Sequence, residues 1–201
     1  MLHQSFNFLL IYRSIVLSFV VLSLIASGGW LIVRLFLSRT PGYRLSFRRE
    51  ILLLTFVVYL SGLAAATLLP NRSSRLRAEA SEGVDLQPSL ASLTCSSAQL
   101  PMGSTARAFC VRNAAGNVIL FFPLGILLPL LWRRLRFWSG LQVAIAVSVS
   151  VELVQYLSRG WAHRTADVND VILNSLGACL GLMLVSLLRL RLGSRRATPH
   201  A

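Results

Sequence analysis

Five long apolar stretches, almost free of charge, leave few folds open to this chain. They run over residues 14–33, 51–69, 114–132, 137–157 and 171–188. At 1.5 Å per residue each makes a helix of roughly 27–32 Å, enough to cross a hydrocarbon layer of about 30 Å. The apolar residues come in blocks, without the 3.6-residue period of an amphipathic helix or the alternation of a half-buried strand. Charged residues make up only 13% of the chain, against about 25% in a soluble domain. The expected fold is therefore all-α and integral to the membrane. It is a single domain over 1–201, a bundle of about five transmembrane helices with one long loop, 70–113, between the second and third.

The charge that remains sorts by loop. The net charge is +13, and every basic residue is Arg. Nucleic-acid binding would want that charge on one soluble face, whereas here it is spread over short loops, where it sets topology and meets anionic lipid. Loop 34–50 holds five Arg, turn 133–136 three and tail 189–201 four. These twelve belong on the cytoplasmic side. Eight Arg and five of the seven acids fall on the other side. The chain is thus expected to have its N-terminus outside and its C-terminus in the cytoplasm. Trp30, Trp132 and Trp138 fall at the inner boundaries and Trp161 at the outer one, a depth that suits an apolar ring with a wet N–H. A cleaved signal peptide ending near Ala26-Ser27-Gly28 is the rival reading of the first stretch. Its n-region is weak, however, and its apolar run of about 20 residues exceeds the usual 7–15.

Loop 70–113, irregular or partly helical, carries Cys95 and Cys110. An external loop permits a disulfide between them, and spacing alone leaves the pairing open. Cys179 reads as a packing residue inside the fifth stretch. Pro123 removes a helical N–H and crowds the carbonyl of Ile119, which predicts a kink. Gly177-x-x-x-Gly181 offers a flat face for close helix approach.

Glu152 is the one acid inside an apolar stretch. Burying such a charge in lipid costs roughly 2.5–3.5 kcal/mol on insertion scales, so it needs a partner or a task. Once the spans are drawn, other polar residues fall near its depth. Asn117 lies one turn into the third span, with Asn113 at its outer surface. Gln155 lies at i+3 from Glu152, on the same side of the helix. Asp167 and Asp170 stand at the outer mouth of the fifth span, and Asn174, one turn deeper, shares a face with Asp170. Arg159 and Arg164 at the rim offer forked donors for phosphate or carboxylate. Each group also has a structural reading. Glu152 could pair with Arg164 or Arg159 across helices. Asp167 and Asp170 could cap the fifth helix and complement its dipole. Asn117 and Asn174 could join helices by hydrogen bonds, and His163 reads as a solvated loop residue.

Two blocks of this sequence resemble the VanZ-like family. One is Asn117-Val-Ile-Leu-Phe-Phe-Pro-Leu-Gly125-Ile-Leu-Leu-Pro129. The other is Glu152-Leu-Val-Gln155, followed by Arg164-x-x-Asp167-x-x-Asp170-x-x-x-Asn174-x-x-Gly177-x-x-x-Gly181. The resemblance covers about residues 113–185 and rests on the composite spacing. It implies a small multi-pass protein of the bacterial plasma membrane. The family's founding member is associated with low-level resistance to the glycopeptide teicoplanin, and most relatives have no known reaction.

Three function classes remain open, beside a purely structural scaffold. The leading expectation is a non-catalytic envelope protein that binds a lipid-linked cell-wall precursor or a glycopeptide-type amphiphile at the outer leaflet. Its ligand-binding residues would be Glu152, Gln155, Arg164, Asp167, Asp170, Asn174 and Asn117. The alternative is an intramembrane hydrolase or phosphatase acting on a lipid carrier. Against it, the chain has no His-Glu-x-x-His motif, and His3 and His200 lie at the extreme termini. No Ser–His pair falls within apposed spans. The third class is a lipid or small-solute transporter. Five spans are few for a monomeric carrier, and no inverted repeat is visible; a homodimer would supply more. The expected surroundings are membrane lipids, with no nucleic-acid partner, no cofactor and no metal.

Overall fold

In the computed structural model of the protein the described residues are 2–40, 46–68, 87–96, 102–158 and 166–196. They form six helices: α1 (Leu2–Ser38), α2 (Phe47–Leu68), α3 (Leu90–Thr94), α4 (Thr105–Leu131), α5 (Phe137–Leu157) and α6 (Val168–Arg196). All but α3 are long and apolar enough to cross a membrane. The all-α fold with five spans is thus present as the apolar stretches predict, and the protein is a membrane protein.

The helices outrun the apolar stretches because polar residues continue them. The third spanning helix starts at Thr105, well before residue 114, because Ser104 caps it. Ser104 has an extended backbone, and its Oγ accepts the Arg107 N–H at 3.2 Å, satisfying one of the donors a helix start leaves open. Helix α4 then runs as one element through Pro123 and Pro129. Its C-terminal carbonyls end on a cation, since the Arg189 guanidinium of α6 donates to the Pro129 carbonyl. A basic group suits the negative end of a helix dipole.

The chain divides into two compact units. The first comprises Met1–Val84 and Leu153–Ala166, the second Asp85–Glu152 and Asp167–Ala201. In the first unit α1 and α2 pack antiparallel. Gly62 of α2 lies against the Phe19 ring of α1, and Arg34 Nε pairs with Glu50 Oε2 at 2.9 Å while its guanidinium covers the Trp30 ring. The Gln155 side chain donates from Nε2 to the Thr67 carbonyl at 2.7 Å. That carbonyl lies in the last turn of α2, where no intrahelical partner remains.

In the second unit α4 and α6 run side by side in the same direction, close enough for their backbones to touch. A Cβ built on Gly177 would overlap the Val118 carbonyl oxygen. One on Gly181 would overlap the Phe122 carbonyl, and one on Gly125 the Ala178 carbonyl. The small-residue face of α6 predicted from Gly177 and Gly181 therefore meets a matching glycine on α4. Such contact replaces lipid by well-packed protein, which is what holds helices together in a bilayer. The N-terminal part of α5 joins this pair, with Gly140 against Leu182. The short helix α3 is tied down at both ends. Cys95, immediately after it, is bonded to Cys110 of α4, with S–S 2.05 Å and Cα–Cα 5.7 Å. Just before it, the Ser89 N–H donates to Asn169 Oδ1 of α6 at 2.9 Å.

Candidate functional site

Polar side chains gather at one end of the second unit, where α4 and α6 begin and α5 approaches its end. The outermost rung joins α4 to α6, with Asn113 Nδ2 donating to Asp170 Oδ1 at 3.0 Å. The two residues are 57 positions apart, and the same offset relates Gly125 to Leu182, whose backbones meet further along. It also relates Asn117 to Asn174, so these two face one level, a turn deeper.

At that level Asn174 Nδ2 donates to Ser148 Oγ of α5 at 2.9 Å. Ser148 is 0% exposed and Asn174 2% exposed. One turn along α5, Glu152 is also buried, and its Oε2 accepts the Asp167 N–H at 3.0 Å. Asp167 is the cap of α6. Its Oδ1 accepts both the Asn169 N–H and the Asn169 Nδ2, each at 2.8 Å. The Glu152 carboxylate thus lies at the positive end of the α6 dipole and receives a backbone donor there. That accounts for one oxygen of a charge that would be costly in lipid. Chemically the tier is a set of acceptors and amides, in which the Ser148 hydroxyl meets an amide rather than a base. Among the described residues no three His, Cys, Asp or Glu side chains converge as a metal would require.

Of the residues singled out in the sequence, Glu152, Asp167, Asp170, Asn174 and Asn117 belong to this unit, and all but Asn117 make a side-chain bond named here. Gln155 belongs to the first unit, where it holds the end of α2. Arg159, Trp161, His163 and Arg164 lie outside the described residues. Sequence reasoning placed Asn113 at the surface and passed over Ser148 and Asn169. Ser148 carries a weak signal, standing four residues before Glu152 on one helical face. Asn169, between two aspartates at a helix start, has the residue type that capping favours.

Five apolar helices with a buried polar tier at one end define a multi-pass membrane protein. Residues 56–189 match the model of the VanZ/LLP1 family, and the chain belongs to that family. The match begins within α2 and takes in α3 to α6, a wider stretch than the two motif blocks. Over 76 residues the chain is 33% identical to Protein VanZ of Enterococcus faecium, covering 38% of this chain and 45% of that protein. The chain thus spans about half the length of this curated relative. No solved structure matches it.

Proposed function

We propose that this is a protein of the bacterial plasma membrane that binds an amphiphile at the outer leaflet and thereby modulates susceptibility to glycopeptides such as teicoplanin. The amphiphile is a lipid-linked cell-wall precursor or a glycopeptide. Its polar part is recognised at the tier of Asn113, Asn117, Glu152, Asp167, Asp170 and Asn174. One observation carries this reading: the buried polar side chains of the unit, Ser148, Glu152, Asn169 and Asn174, are concentrated at one end rather than scattered along it. Membership of the VanZ/LLP1 family supports the cell-envelope context.

Two independent features support the proposed orientation. The short turn at 133–136 is purely basic, which favours the cytoplasm. The Cys95–Cys110 disulfide lies at the opposite end of α4, and disulfides persist in oxidising compartments. Both support a tier on the external side, and the Arg distribution over the loops supports an outer N-terminus and a cytoplasmic C-terminus.

The test is extraction of the full-length protein, purified from its native membrane, followed by mass spectrometry of what dissolves in organic solvent. The reading expects one amphiphile enriched over bulk membrane lipid and depleted in an equally abundant Asp170→Asn variant. An extract matching bulk lipid in both preparations refutes it.

A further inference from the structure

Among the described residues, two polar atoms of the tier have no hydrogen-bond partner. Asn117 Nδ2 is a buried donor with none, and Asn174 Oδ1 a buried acceptor with none. Leaving either atom unmet incurs the desolvation penalty of a buried polar group, and native proteins rarely leave such groups unmet. Asn174 is fixed in place, since its own Nδ2 is held by Ser148. The common offset of 57 puts the two orphans at one level on adjacent helices.

We propose that Asn117 and Asn174 together receive one small neutral group that both accepts and donates a hydrogen bond, a hydroxyl or a carboxamide. The inference rests on the amphiphile reading above and names the chemistry of its head. Three observations narrow the choice. The Asn174 carbonyl needs a donor, which a fully ionised phosphate or carboxylate lacks. The Asn117 amide needs an acceptor, which an ammonium lacks. Space is short as well, because α4 and α6 meet at Val118 and Gly177, next to Asn117 and one turn past Asn174. That close approach favours a small group over a bulky one. The Glu152 and Asp170 carboxylates at the same end of the unit further disfavour an anion.

The test uses the full-length protein in phosphatidylcholine nanodiscs, whose lipid offers no hydrogen-bond donor. Three probes are titrated and bound lipid is read by native mass spectrometry: monoglucosyl diacylglycerol, its permethylated form and phosphatidic acid. Free glucose is a fourth arm that separates a lipid head from a soluble sugar. The variant is Asn117→Leu, close in volume and removing a donor that makes no bond among the described residues. The proposal expects the glucosyl lipid to be retained in preference to its permethylated form, with about tenfold weaker retention in Asn117→Leu. Retention of free glucose alone would assign the site to a soluble sugar and overturn the lipid-head form. Retention of phosphatidic acid but not the glucosyl lipid overturns the neutral-head inference and leaves the amphiphile reading standing. No probe retained above background, with Asn117→Leu simply more heat-stable, overturns both.

Discussion

Replacing Gly177 by alanine adds one methyl group where α6 touches the α4 backbone. The new Cβ would lie 2.9 Å from the Val118 carbonyl carbon and 3.0 Å from its Cα, where ordinary contact begins at 3.4 Å, and it would overlap the carbonyl oxygen more severely. All three atoms are backbone, so no side chain can swing away, and the helices must part by on the order of 1 Å. Overpacking of a tight interface costs typically 1–3 kcal/mol, and a backbone clash belongs at the upper end. Parting the helices also weakens the Asn113–Asp170 bond, and interhelical bonds in membranes average about 0.6 kcal/mol. The expected loss is about 3 kcal/mol. Gly116→Ala on α4 is the control, because its Cβ meets nothing within 4 Å. That change should be neutral or stabilise by up to about 1 kcal/mol through helix propensity. The assay is equilibrium unfolding in bicelles by steric trapping. If Gly177→Ala unfolds together with Gly116→Ala, the close α4–α6 approach is wrong, and with it the register that aligns the tier.

Two further outcomes follow from the same geometry. Cys110→Ser frees α3 from α4 and should speed proteolysis after residue 85; closing a 15-residue loop is worth roughly 3 kcal/mol on the chain-entropy model. Cys95→Ser should behave identically, and the double variant should be no worse than either single one. Gln155→Leu leaves the Thr67 carbonyl buried without its donor and should destabilise the protein by about 1–3 kcal/mol, read in the same unfolding assay. A thermally silent Gln155→Leu would mean that the bond contributes nothing.

The spans were legible because lipid imposes its requirement on every residue of a segment. Twenty apolar positions in a row leave little else to be. The helix ends were not, because they depend on caps such as Ser104 and on polar residues that extend a helix past the hydrocarbon. The site divided along the same line. Glu152 and Asp170 stand out because charge is rare in such a chain, and Asn174 follows from its i+4 spacing. Ser148 was hidden because a serine inside a span is ordinary, bonding its own helix as Ser150 does to the Ala146 carbonyl. Gln155 shares a helical side with Glu152, yet its bond goes to the Thr67 backbone. A backbone carbonyl has no signature in the sequence. The disulfide was open for a similar reason: spacing permits Cys95 to meet Cys110, and only the capped start of α4 and the anchoring of α3 bring them together.

The central claim is that the tier recognises an external amphiphile, beyond holding helices together. The most direct measurement is teicoplanin susceptibility in cells carrying Glu152→Gln or Asp170→Asn at the native locus, with membrane protein level measured in the same cultures. The account predicts altered susceptibility at unchanged protein level for at least Asp170→Asn, whose amide can still accept from Asn113. Susceptibility that moves only in step with protein level, or stays put while level is normal, would contradict it.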